Sequence, residues 1–232
     1  MKRLPFVLVA LGVVIAAAAG FIYLRFGADQ SKRSGLVRQW IIAQPEGWSV
    51  KAGQRCGSAP FTFPTDGFIG YLWDDRFQAN HPHTGIDIFA GTAPGVTPVY
   101  AAYDGYLTRM PDWKSTVIIR IPSNPLDPGE QLWTYYTHMA DVLGSSTIDP
   151  AFPPGTSEVF VEAGTLIGTQ GNWSGTPGKP TGVHLHFSIV KDDGSGAFTN
   201  ESLIANTLDP SPFFGLDLYA STAGTSIPVC PE

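Results

Sequence analysis

Residues 4–24 form an unbroken apolar run with no charged side chain. As a helix its 21 residues would extend roughly 31 Å, enough to cross the hydrocarbon core of a bilayer. Lys2 and Arg3 precede the run and Arg25 closes it. The expectation is an uncleaved N-terminal transmembrane helix, residues 1–25. A cleaved signal peptide competes with it, since residues 16–20 supply small side chains, but Phe21, Ile22, Tyr23 and Leu24 carry the apolar run past them. Basic residues flank both ends, so charge alone leaves the orientation open; if Lys2 and Arg3 stay on the cytoplasmic side, the body of the chain lies outside.

Residues 26–60 read as a stalk or entry segment. Within it Leu36, Val37, Trp40 and Ile41 have the spacing of a short amphipathic helix. From about residue 61 the pattern changes to short runs rich in β-branched and aromatic residues, at 98–102, 116–121, 132–137 and 183–190, each bounded by turn formers. In the last run Leu185, Phe187 and Ile189 alternate with His184, His186 and Ser188, which assigns the first set to a core face. Residues 123–129 and 148–155 are Pro-containing loops, and no repeat of fixed period is present. The expected fold is mostly β, with antiparallel sheets in one domain, residues 61–220, and a tail at 221–232.

Composition agrees with that reading. Gly (26) and Pro (20) make up about a fifth of the chain, which suits many turns and disfavours a helical bundle. A hydrophobic share of 43% supports a real core and excludes wholesale disorder. Residues 1–33 carry five basic side chains and one acid, so the body holds nine basic and 19 acidic residues, a net of −10. That balance excludes a nucleic-acid binder, which needs a basic surface. Two cysteines are too few for a Cys-ligated zinc module. Cys56 and Cys230 bracket the domain, and outside the cytoplasm they are expected to pair as one disulfide; two unrelated thiols are the alternative.

The five histidines are clustered. In His83-Thr84-Gly85-Ile86-Asp87 a strand puts His83, Gly85 and Asp87 on one face, and a helix would also bring His83 and Asp87 together, although Gly85 and two β-branched residues make a poor helix. Imidazole nitrogen and carboxylate oxygen are both zinc donors. His184 and His186 stand one pleat apart, opposite the core-facing residues, and His138 ends the aromatic run of residues 132–137. Singly these patterns are weak; together they point to one shared metal site. His81 reads as an exposed loop residue beside Pro82, with a rim or substrate role as the alternative, and residues 171–182 as a flexible cleft wall, with a turn-rich connector as the alternative. The triplets starting at Asn172 and Asn200 fit the glycosylation pattern and are set aside as chance matches.

In order and spacing these motifs resemble the lysostaphin/LytM family of zinc metallopeptidases over about residues 80–215. The resemblance is carried by His83-Thr84-Gly85-Ile86-Asp87, the strand and turn at 99–105, Tyr136-Thr137-His138, the Gly-containing segment 161–171 and His184-Leu185-His186-Phe187. It implies a LytM-like β-sandwich, one Zn2+ bound by His83, Asp87 and His186, and catalytic roles for His138 and His184, with the general base open between these two. Three protein ligands leave a coordination position open, as in catalytic zinc sites. The implied substrates are peptide cross-links or stem peptides of bacterial peptidoglycan. One departure stands out: the family often follows the last motif with Glu, whereas this chain has Ser188. A non-catalytic wall-binding or regulatory domain is the alternative. A lipoyl-type carrier is disfavoured, because no Lys occurs between Lys114 and Lys179 to serve as the attachment point.

Overall fold

A computed structural model describes residues 32–76 and 81–231 of the chain. The expected membrane segment lies outside the described residues. Among the described residues no helix is long and apolar enough to cross a membrane.

Helix α1 (Ser34–Ala43) is followed by strands β1 (Ser49–Val50), β2 (Gly67–Ile69), β3 (Ile86–Phe89), β4 (Pro98–Tyr100), β5 (Gly105–Thr108), β6 (Val117–Ile121), β7 (Leu132–Thr137), β8 (Val159–Val161), β9 (Leu166–Thr169), β10 (Leu185–Lys191) and β11 (Thr207–Leu208). Short helices α2 (Ser211–Phe214) and α3 (Ala220–Ala223) follow. The four sequence-predicted runs become β4, β6, β7 and β10. All strand pairs are antiparallel, as expected. The large sheet runs β1-β2-β3-β10-β7-β6-β5-β8, with β11 also on β10, and β4 with β9 forms a separate ribbon.

The alternation along β10 decides where everything sits. Leu185, Phe187 and Ile189 join Ile86, Ile88, Val117, Ile119 and Tyr136 in the main core, into which Val99 of β4 and Ile167 of β9 also pack. Phe61, Phe63, Phe213 and Phe214 close that core as a group of packed rings, with Phe63 stacked on Phe214 at 4.8 Å. The opposite face of the sheet is divided in three. Val37 and Trp40 of α1 cover Phe68 and Phe89 at one side. Ile118, Trp133 and Val190 form a second apolar patch at the other. Between them lies the polar strip that carries Asp87, His186 and Ser188.

Helix α1 is fastened beside that strip. Arg33 is buried, and its guanidinium donates to the carbonyls of Gly70 at 2.6 Å, Ile69 at 3.0 Å, Gly224 at 3.0 Å and Ser226 at 2.8 Å. Trp40 Nε1 donates to the Phe89 carbonyl at 2.7 Å. The helix ends where Gln44 takes a left-handed conformation (φ 42°) and donates its N–H to the Trp40 carbonyl. Cys56 and Cys230 form a disulfide with a Cα–Cα distance of 5.1 Å, 174 residues apart in sequence. Closing a loop of that length stabilises the fold by about 5 kcal/mol in the chain-entropy treatment.

Candidate metal centre

Cross-strand register builds the centre. His186 on β10 is directly opposite Asp87 on β3 and, on its other side, Thr137 at the end of β7. Asp87 Oδ1 lies 2.9 Å from His186 Nδ1 and 3.0 Å from His83 Nε2, and these two nitrogens are 2.9 Å apart. All three residues are buried. His83 sits just before β3, held by backbone bonds to Asp75 and Asp74, and converges on Asp87 as the strand reading required. Gly85 also has a packing role: a Cβ there would lie 2.1 Å from the Phe187 carbonyl. It lets the β3 segment approach the β10 backbone closely enough to set the register.

The outer ring atoms define the tautomers. His83 Nδ1–H donates to the Leu72 carbonyl at 2.9 Å, which turns Nε2 inward as an acceptor. His186 Nε2 donates to Glu201 Oε1 at 2.9 Å, which turns Nδ1 inward. Two imidazole nitrogens and one carboxylate oxygen thus face one another within hydrogen-bond distance. Such acceptors repel unless a positive charge lies among them. A proton on His186 is one such charge: burial disfavours it, but the carboxylates of Glu201 and Asp87 outweigh burial and raise His186 to about 10. Burial likewise works against ionised Asp87, yet His83, His184 and the bonds from His186 hold its carboxyl well below the usual range. A divalent cation is the other charge that fits, and the N,N,O donor set is one that suits zinc among such ions.

His138 and His184 stand beside this trio. Their ring centroids are 4.4 Å apart, and His184 Nε2 is 3.7 Å from Asp87 Oδ1. His184 Nδ1–H donates to the Gly182 carbonyl at 2.7 Å while its ring stacks on Phe89 at 4.9 Å. His138 Nδ1–H donates to the Trp173 carbonyl at 2.5 Å. Both therefore keep Nε2 as the acceptor nitrogen. Burial, then the neighbouring histidines, lowers His138 to about 3, and burial lowers His184 as well. Each is neutral at ordinary pH, the state a proton acceptor requires. His138 holds a left-handed backbone conformation (φ 72°), the turn by which the chain leaves β7 and aims the ring at the site.

Gly171 locks the two histidine segments together. It bridges to His184, and a Cβ on it would meet the carbonyls of Ala140 at 2.2 Å and His138 at 2.3 Å. Beyond it the loop expected to wall the cleft does so, through Ser174, Thr181 and Gly182. The cleft has a volume of about 760 Å³. His81 is exposed and lies at its rim. The lining also includes Val37 and Ile41 of α1 and Tyr71, none of which the sequence marked as near the site. The other residue missed is Glu201, whose Oε1 also accepts from Ser188 Oγ at 2.9 Å and Thr84 Oγ1 at 2.6 Å.

The model of peptidase family M23 matches residues 81–197. The chain belongs to peptidase family M23. This bears out the resemblance read from the order of the motifs, and the matched segment contains all five of the predicted site residues. A comparison with curated proteins gives no match. Among solved structures, this M23 chain is similar to Csd3 of Helicobacter pylori, at 20% identity and a TM-score of 0.42 over 70% of this chain and 37% of that one. It is also similar to a putative glycyl-glycine endopeptidase LytM of Ruminococcus gnavus, at 22% identity and a TM-score of 0.44 over 67% of this chain and 59% of that one. Lysostaphin matches at 22% identity with a TM-score of 0.39, over 78% of this chain and 60% of that one. The chain thus spans less than two thirds of each of these proteins.

Proposed function

We propose that this M23 chain is a zinc-dependent endopeptidase that hydrolyses peptide cross-links or stem peptides of bacterial peptidoglycan. One observation carries the reading: two neutral histidines, both with Nε2 as acceptor, flank a buried His-Asp-His trio at the floor of an open cleft. His83 Nε2, Asp87 Oδ1 and His186 Nδ1 would hold the zinc. When bound, the ion supplies Lewis acidity toward a carbonyl oxygen and toward water. Nε2 of His138 or His184 takes the proton of the attacking water and, as Nε2–H, returns it to the leaving amine, while the other ring, also with Nε2 as acceptor, orients that water. The substrate class rests on the motif resemblance. A site outside the cell membrane, with residues 4–24 as anchor, rests on the apolar run and on the peptidoglycan substrate that the resemblance implies.

The test is digestion of defined muropeptides by the zinc-loaded chain, with mass analysis of new amino termini. His83→Ala and His186→Ala are expected to lose zinc, whereas His138→Ala and His184→Ala keep zinc and lose hydrolysis. Full zinc occupancy without any new amino terminus would overturn the enzymatic reading in favour of a non-catalytic wall-binding domain.

A further inference from the structure

An imidazole that ligates a metal works best when its second nitrogen is held, because that bond fixes the tautomer, the ring plane and the basicity. For His83 the Leu72 carbonyl does this. For His186 the partner is a carboxylate 15 residues further along the chain, beyond the family-matched residues 81–197.

Glu201 is set on a braced turn. Thr199 donates its N–H to the Lys191 carbonyl, and its hydroxyl reaches the carbonyls of Lys191 and Asn206. Asn206 Nδ2 donates to the Asn200 carbonyl at 2.8 Å, and Asn200 Oδ1 accepts from the Ser202 N–H and hydroxyl. The turn therefore returns the chain to the outer face of β10, at the level of His186. There one oxygen, Glu201 Oε1, accepts three bonds, from His186 Nε2, Ser188 Oγ and Thr84 Oγ1. Ser188 is one pleat beyond His186 on the same face of β10 and is fully buried. Thr84 directly follows His83. The hydroxyl donors of Ser188 and Thr84 leave that oxygen one orientation, and the two neighbours tie it to both histidine-bearing segments.

We propose that Glu201 is the positioning residue of the metal centre: its Oε1 holds His186 as the Nε2–H tautomer with Nδ1 directed at the ion, and through Thr84 and Ser188 it clamps the His83 segment to β10. The proposal rests on the reading of His83, Asp87 and His186 as zinc ligands. It gives Ser188 a role of its own: a short hydroxyl leaves room for the incoming carboxylate and donates to it.

The test measures zinc rather than hydrolysis, so that its failure and the failure of the peptidase reading stay separable. Zinc affinity of the full chain is determined by competition with a chromophoric chelator for the wild type, Glu201→Ala and Glu201→Gln. Glu201→Ala is expected to weaken zinc binding by about 10- to 100-fold, and Glu201→Gln, which keeps an acceptor oxygen, by less. In nitrogen–proton correlation spectra of the zinc form, the wild type and Glu201→Gln show a slowly exchanging Nε2–H on His186, and Glu201→Ala loses it. Thermal melts of the metal-free proteins identify any variant that fails to fold; if Glu201→Ala does, Glu201→Gln decides through its affinity and its Nε2–H signal. Unchanged zinc affinity in a folded Glu201→Ala protein, or a wild-type zinc form with His186 lacking the Nε2 proton, would overturn the proposal.

Discussion

Asp87 and His186 face each other across the β3–β10 pair, with Oδ1 and Nδ1 2.9 Å apart. The candidate metal centre is thus a property of strand register. A slip of one residue would send either side chain to the core face, because side chains alternate along a strand. Gly85 guards that register, since any Cβ there would lie 2.1 Å from the Phe187 carbonyl. Gly85→Ala is therefore expected to push β3 away from β10, to cost about 3 kcal/mol or more, and to abolish stoichiometric zinc binding. Denaturant midpoints and zinc analysis of the purified variant check this. A variant with wild-type zinc content would show that the centre tolerates a shifted strand.

Gly171 offers a cleaner separation of metal from catalysis. Its missing Cβ leaves room for the carbonyls of Ala140 and His138, and it bridges to His184, joining the two segments that carry the flanking histidines. Gly171→Ala should displace both flanking histidines and leave the trio in place. Misplacement by about 1 Å can cost on the order of 100-fold in rate, so kcat/KM is expected to fall by at least that much while zinc content stays at one per chain. Simultaneous loss of zinc would mean that the two parts of the site are not mechanically separate.

Sequence reasoning reached the parts of this site that short-range rules control. The alternation of residues 184–189 assigns Leu185, Phe187 and Ile189 to the core and leaves His184 and His186 on the other face, and the protein does that. His83 and Asp87 are close enough in sequence for parity alone to join them. Glu201 was out of reach, because a 15-residue excursion through an irregular turn returns it to His186, and no periodicity links the two. Its only visible mark was a triplet that fits a glycosylation pattern. The placement of α1 was equally hidden. The amphipathic spacing finds the helix, and Val37 and Trp40 are buried as it implies, but Arg33 reaches carbonyls 36 to 193 residues away. Nothing in the local pattern shows that Ile41, 56% exposed, will line the cleft.

The depressed pKa of His138 predicts a signed pH effect on the metal-free protein. An unfolded histidine titrates near the ordinary value of 6.5, whereas folded His138 is lowered to about 3 by burial and then by His184 and His186. Between those values the unfolded chain binds more protons at this residue, so acidification favours unfolding, by at most about 1.4 kcal/mol per pH unit. His138→Gln removes this contribution. The stability advantage of the wild type over the variant should therefore shrink as the pH falls from about 7 toward about 4. Urea titrations at several pH values measure it, and a constant or widening gap would contradict a neutral, buried His138.

Arg33 fastens three segments at once: α1, the end of β2 with Gly70, and the residues around Gly224 and Ser226. Burial lowers the guanidinium to about 10, against the opposing pull of Asp75, so it stays charged at neutral pH. Arg33→Met keeps much of the apolar stem but strips four carbonyls of their donor, and each buried acceptor left without a partner costs about 1–3 kcal/mol before water relieves it. The loss should be local. The His83-Asp87-His186 trio is held by β3, β10, the Leu72 carbonyl and Glu201, whereas α1 is held to the sheet by Arg33, the packing of Val37 and Trp40, and the Trp40 indole bond to Phe89. Expected in Arg33→Met are early proteolysis within residues 34–43, a red shift in the emission of Trp40, and unchanged zinc stoichiometry. With α1 released, Val37 and Ile41 leave the cleft wall, so KM for a peptide substrate should rise several-fold with little change in kcat. A fall in kcat at constant KM would instead place the influence of α1 on the reacting groups themselves.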